Sequence, residues 1–335
     1  MTGPRTEPPP TLAPGARPAP GYAILGHLAR TGWLDVYDAW SEERACRCVV
    51  KVVRPDRLDE APLRARLLRE GRWLRGFTHP HLVRAYETFD APEPLVVLET
   101  LTGETLSHLI HRLRRRPSAA DVALLGVQLC SAAHYLHGQR LLHLDLKPSN
   151  VVVDRGHAKV LDLSVARPPG PAPPGVGTYR YLSPEQARGG ALSAAADVWG
   201  IGITLYEVAG GELPFDYGET VDGTYGTDGT YGTYGTGTPG KDDDHAAADP
   251  DERWPRPEAD EWYPQLEDSA RPITTRRRLP SALAATVDAC LREEPSARPT
   301  IPALAEALAA TLGTPLPRRT PGASPDRDPA GAPGA

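Results

Sequence analysis

The sequence predicts an α+β chain of two lobes, a small β-rich lobe followed by a larger helical one. Two observations carry this: strand-like apolar runs confined to the first hundred residues, and helical periodicity that dominates beyond them. With 335 residues, 40% of them hydrophobic, the chain can bury a sizeable core. Its 37 prolines and 32 glycines exceed what one packed domain uses, so part of it falls outside that core.

Residues 1–20 are Pro-rich and aperiodic, and read as a disordered arm. The first lobe spans 21–98. Its strands are marked by Ala45–Val53 and Leu95–Leu98. Between them Leu63, Leu67, Leu68 and Leu74 recur at helical spacing, with Gly76 as the stop. The second lobe occupies 99–215 and 272–313. Ser118 with Asp121 opens a helix as a capping box, and Val122, Leu125, Leu129 and Leu136 continue its apolar face. Further helices are expected over about 195–208, 280–292 and 302–313. Residues 216–271 carry Gly-Thr-Tyr repeats and an acidic, Pro-rich stretch, the composition of a flexible insertion that is a spacer or a set of phosphoacceptors. The tail 314–335 reads as disordered.

Net charge is −6, which argues against nucleic acid as the main partner. None of the four cysteines forms a C-x-x-C pair, and buried reduced thiols are expected. No run of about 18 apolar residues is evident and the N-terminus lacks an apolar signal, so the expectation is a cytoplasmic chain without a membrane span.

The densest chemical signal is His143-Leu-Asp-Leu-Lys-Pro-Ser-Asn150, followed by Asp162-Leu-Ser164. Phosphoryl transfer rests on positioning and charge neutralisation. It needs a carboxylate to orient the attacking hydroxyl, which suits Asp145, and a cation by the transferred phosphate, which suits Lys147. Two hard oxygen donors must hold Mg²⁺ across the same cleft, and Asn150 with Asp162 supply them. A Val151–Val153 strand would fix the spacing of those donors.

Here the chain resembles the protein kinases, specifically the bacterial eukaryotic-like Ser/Thr kinases of actinobacterial type. The resemblance covers about 22–215 and 272–312. Cys48-Val-Val-Lys51 resembles the family's lysine strand and Glu70 the helical acid that pairs with that lysine. Gly177-Thr-Tyr-Arg-Tyr-Leu-Ser-Pro-Glu185 resembles the end of an activation segment, and Arg298 the arginine that pairs with Glu185. The resemblance implies a protein kinase-like fold, ATP and Mg²⁺ as cofactors, and proteins with Ser/Thr acceptors as substrates. It implies that Lys51 binds the α- and β-phosphates and that Thr178 hydrogen-bonds Asp145. The adenine would lie between Val36 and Val49 above and Val152 below. Leu98 would line the back, and the Glu99–Leu101 hinge would supply backbone bonds. His143 is expected to be structural. A non-catalytic scaffold and a small-molecule kinase are the rival readings.

The pattern departs from the family in three places. Ala29, Thr31 and Leu34 stand at the three glycine positions of the phosphate-covering loop, which predicts weaker nucleotide binding. Leu144 replaces the arginine of H-R-D, and Ser164 is the only hydroxyl between Asp162 and Thr178. Control by a phosphorylated activation segment is therefore not expected. Asp162-Leu-Ser164 replaces D-F-G, with Leu163 as the apolar plug.

Overall fold

A computed structural model describes residues 9–216 and 263–313. The N-terminal lobe is an antiparallel sheet in the order β1-β2-β3-β5-β4, built from β1 (Tyr22–Arg30), β2 (Leu34–Ser41), β3 (Cys46–Val53), β4 (Ala85–Phe89) and β5 (Leu95–Glu99). The β-branched run of β3 sorts with period two. Cys48, Val50 and Val52 face one layer, while Val49 and Val53 face the other. The second face is covered by α1 (Ala61–Gly76). The helix approaches so closely that a Cβ at Gly71 would lie 2.6 Å from Val96 Cγ2.

The opposite face of the sheet explains a departure from expectation. Ile24, Val50 and Val97 are essentially sealed from solvent, so something must cover them. Residues 9–20, assigned to a disordered arm, do so: Leu12 and Ala16 pack on that layer, and Ala19 is buried within it. The Leu12 N–H donates to Tyr37 Oη at 3.0 Å, and Ile24 and Ala16 share a backbone bond of 2.9 Å. Apolar burial of the sheet outweighs the proline content of this segment.

The helical lobe starts with β6 (Glu104–Thr105) and α2 (Leu106–Arg112), then α3 (Ala119–Gly138), β7 (Val151–Asp154) and β8 (His157–Val160). After β9 (Gly170–Ala172) come α4 (Pro184–Arg188), β10 (Gly190–Leu192), α5 (Ala194–Gly210), α6 (Pro264–Glu267), α7 (Ser281–Cys290) and α8 (Ile301–Thr311). The Ser118–Asp121 capping box closes reciprocally at the start of α3. Helix α3 packs against α5 and α8. It alone among the described helices is long and apolar enough by length and composition to cross a membrane, with mean hydropathy 1.2 over 18 residues, although Asp121, Gln128 and His134 interrupt its apolar run. Its place in the core accounts for that composition, because Val122, Ala123 and Leu129 have no exposed surface. Of the expected 216–271 insertion, residues 263–271 are described and Tyr263, Pro264 and Gln265 are buried. The Gly-Thr-Tyr repeats and the 314–335 tail lie outside the described residues. Three cysteines are buried and Cys46 is half-buried, all as free thiols.

Truncating a fully buried core leucine leaves a cavity that the helices cannot close. Leu129→Ala is expected to cost about 2–5 kcal/mol in denaturant unfolding. A loss near zero would contradict the packing of α3.

Candidate functional site

The loop from His143 to Asn150 is hung from the first turn of α5. Asp197 accepts from the backbone N–H groups of His143 (2.9 Å) and Leu144 (2.8 Å), and from His137 Nε2 (2.7 Å). Burial opposes ionisation of Asp197, but His137, His143 and the Leu144 amide outweigh it and hold the carboxyl below its usual range. These bonds fix Leu144 at φ +64°, a left-handed backbone that a branched side chain resists. His143 is fully buried, accepts from the Asp145 N–H at Nδ1 (3.2 Å) and donates from Nε2 to the Leu161 carbonyl (3.0 Å).

That frame aims a dense polar group into the cleft. Thr178 donates to Asp145 Oδ1 at 2.6 Å. Lys147 Nζ reaches Asp145 Oδ2 at 2.9 Å and also bonds Thr178 Oγ1. Asn150 Nδ2 donates to the carbonyl and to Oδ2 of Asp145, each at 2.9 Å. Both carboxylate oxygens are thus engaged and their orientation is set. The segment bearing Thr178 can come this close because Gly177 sits at φ +126°, where a Cβ would meet Leu144 O at 2.7 Å. Gln186 ties the two stretches together, donating to Leu144 O (2.8 Å) and Val176 O (2.7 Å).

The second group spans the lobes. Lys51 Nζ lies 2.8 Å from Glu70 Oε1 and 3.8 Å from Asp162 Oδ1. Burial opposes protonation of Lys51, but Asp162 and Glu70 outweigh it and keep the amine charged. Burial likewise opposes ionisation of Asp162, yet Lys51 and the bonds from Ser164 hold its carboxyl well below the usual range. The Ser164 N–H donates to Asp162 Oδ1 at 2.9 Å, closing a turn in which Asp162 itself has φ +51°. The two groups are joined by backbone: Leu161 N donates to Asn150 O (2.8 Å), and Val151 pairs with Val160 across β7 and β8.

The donor set suits a hard divalent cation. Asn150 spends its amide N–H groups on Asp145, leaving its Oδ1 available as an oxygen donor, and Asp162 supplies a second oxygen donor. Among the described residues no group of three His, Cys, Asp or Glu side chains forms a self-sufficient metal cage. Two protein oxygens completed by phosphate and water are the usual Mg²⁺ arrangement.

Around the cleft, Val36 pairs with Lys51 across β2 and β3, Val49 pairs with Leu98 across β3 and β5, and Val152 sits on β7 in the other lobe. Glu99 is differently used from a free hinge. Its N–H donates to Arg84 O (2.9 Å) and its side chain is bonded by Lys159 and by Arg84 N, so any adenine bond from Glu99 comes from its carbonyl.

The loop between β1 and β2 is short and tied. Arg30 makes a two-pronged pair with Asp35 (2.7 and 2.8 Å), and His27 adds a third contact at 2.9 Å. Thr31 N donates to Leu34 O at 2.8 Å, Leu34 N to Thr31 Oγ1 at 2.9 Å, and Leu34 is core. Leu34, at a position expected to be glycine, fills the lobe interior. Sequence reading missed Arg30, Asp35, Arg66 and the anchoring role of Asp197. An acid at a core-facing strand position, as Asp35 is, was the one available signal.

Farther out, Arg298 grips Glu185 with both prongs (2.6 and 2.9 Å), and its guanidinium is completely buried, lying 5.0 Å from the Trp199 ring centre. This pair, expected from the sequence, fixes α4 and with it the end of the Thr178 segment.

The family model described as "Protein kinase domain" matches residues 33–309. The serine/threonine-protein kinase PknB of Mycolicibacterium smegmatis is 34% identical over 206 residues, 57% of this chain and 33% of that protein. PknA of Corynebacterium glutamicum is 32% identical over 208 residues, 57% of this chain and 43% of its own length. The chain thus spans about a third of the length of the PknB relatives it matches. The crystal structure of the Mycobacterium tuberculosis PknI kinase domain superposes with a TM-score of 0.62 at 16% identity, over 90% of this chain and all of that one. It supports the two-lobed fold.

Removing the carboxylate from Glu185 strands a buried guanidinium. Glu185→Ala is expected to lose about 3–5 kcal/mol of unfolding free energy. Stability within about 0.5 kcal/mol of the parent in chemical denaturation would refute the role given to this pair.

Proposed function

The chain belongs to the protein kinase family, and from that membership we propose that it is an ATP-dependent Ser/Thr protein kinase. The observation that carries the reading is the pair of linked polar groups, Lys51–Glu70–Asp162 and Asp145–Lys147–Asn150–Thr178. Lys51, held upright by Glu70, binds the α- and β-phosphates. Asn150 and Asp162 hold Mg²⁺, which when bound neutralises phosphate charge. Val36, Val49, Leu98 and Val152 enclose the adenine, and Glu99 and Leu101 offer backbone groups to its edge.

Asp145 receives the acceptor hydroxyl in place of one of its present partners and takes its proton at a carboxylate oxygen. Lys147 stabilises the charge that builds on the transferred phosphoryl group. Thr178 orients Asp145 and borders the place of the acceptor side chain. Lys147 bonding both Asp145 and Thr178 favours a Ser/Thr protein acceptor over a small molecule, because the activation-segment end is built into the site. The loss of loop glycines favours the scaffold reading, but both polar groups are intact.

The buried environment of Leu144 bears on control. It packs with Leu142, Val165, Val176, Leu192 and Ala196, an apolar cluster where an arginine would await a phosphate. Together with Gln186, this cluster holds the segment without added charge.

Transfer of label from γ-labelled ATP to a generic protein substrate is expected from the parent chain, with a loss of about 10²–10⁴-fold in Asp145→Asn. Nucleotide binding without transfer would instead mark a scaffold. Phosphatase treatment is expected to leave the transfer rate unchanged. Abolition of activity by that treatment, with recovery on rephosphorylation, would overturn the account of the Leu144 cluster.

A further inference from the structure

Arg66 stands one turn before Glu70 on α1, and nothing in the mechanism above uses it. Three elements meet on its guanidinium. Nε donates to the Ser164 carbonyl at 2.6 Å, and Nη2 reaches Ser164 Oγ at 3.5 Å. The group also lies over the indole of Trp33, 5.0 Å from the ring centre. Trp33 belongs to the tied loop that covers the phosphates, and its carbonyl accepts from Arg54 N at 2.9 Å.

The placement has a clear physical consequence. Asp162, two residues before Ser164, holds a left-handed φ of +51°, a region Asp enters more readily than most residues when its side chain bonds locally. The Ser164 N–H closes this turn from inside by bonding Asp162 Oδ1. Arg66 closes it from outside by capturing the carbonyl of the same residue. The charge of Arg66 also favours ionised Asp162. A stacked, forked guanidinium confers direction as well as charge, and lysine cannot reproduce it.

We propose that Arg66 is a positioning residue for phosphoryl transfer, a clasp that joins the acid-bearing helix, the metal-binding turn and the phosphate-covering loop without any phosphorylated residue. The proposal rests on the kinase reading. It links two departures of this chain from the family pattern, the serine after Asp162-Leu163 and the loop without its three glycines. Where the loop cannot wrap the phosphates through glycine amides, its tryptophan is fixed to the helix that carries Glu70.

The test uses the full chain with Arg66→Met, Arg66→Lys, Trp33→Leu and the Trp33→Leu/Arg66→Met double variant. The readout is the Mg²⁺ concentration for half-maximal transfer, with kcat and KM for ATP. Arg66→Met is expected to raise the Mg²⁺ requirement by about 10-fold, because residues that orient metal ligands typically have effects of that size. It lowers kcat while KM for ATP changes less. Arg66→Lys keeps part of the effect of charge and falls between. The double variant loses less than the product of the single losses, because both residues serve one contact. An unchanged Mg²⁺ requirement in Arg66→Met, or a loss of kcat that only tracks the folded fraction by circular dichroism, overturns the clasp. If the parent transfers no phosphate, the same titration is read from Mg²⁺-dependent binding of a fluorescent ATP analogue. A shift with Arg66→Met then supports the clasp while the enzyme reading fails. No shift, or no Mg²⁺-dependent binding at all, refutes the clasp.

Discussion

One buried ion pair governs the geometry on which everything else rests. Lys51 and Glu70 meet at 2.8 Å with the glutamate fully removed from solvent, and Glu70 Oε2 has no hydrogen-bond partner. Burying both charges and leaving one oxygen unsatisfied is poor stabilisation, and an apolar pair of similar volume would serve the core better. The pair makes sense as a constraint. It requires α1 to dock against the sheet with Glu70 inward, and it leaves Lys51 charged and facing Asp162. The turn at Asp162 follows the same constraint, since Leu163 N lies 3.4 Å from Glu70 Oε1.

The helical lobe supplies the other half by a different device. Asp197 at the head of a buried helix takes two consecutive backbone amides, and so imposes on Leu144 a conformation that it would not hold alone. Asp145 and Lys147 point into the cleft as a consequence. Charge joins the lobes at Lys51 and Asp162, and hydrogen-bonded backbone fixes the loop within the helical lobe. Apolar packing of Leu144 and the reach of Gln186 seat the Thr178 segment against the loop of the helical lobe.

Much of this was legible in the sequence because its signals are local. The lysine strand shows as a β-branched run, α3 announces itself through Ser118 and Asp121, and the 143–150 stretch carries Asp145, Lys147 and Asn150 at fixed spacing. What stayed hidden depends on partners distant in the chain. Arg66 reads as one more solvated helix arginine until Ser164, 98 residues away, is placed beside it. The Pro-rich start reads as unstructured because composition does not show that the outer face of the sheet lacks a cover. Leu34 reads as a damaged glycine position, whereas its burial shows that it is part of the core.

The central claim is that Lys51, Asn150, Asp145 and Asp162 converge on one nucleotide. A crystal structure of the chain with Mg²⁺ and a non-hydrolysable ATP analogue tests it most directly. The account predicts the α- and β-phosphates at Lys51 Nζ, metal density between Asn150 Oδ1 and the Asp162 carboxylate, and the terminal phosphate facing Asp145. A nucleotide bound elsewhere, or a cleft that stays closed to it at saturating concentration, would contradict the account.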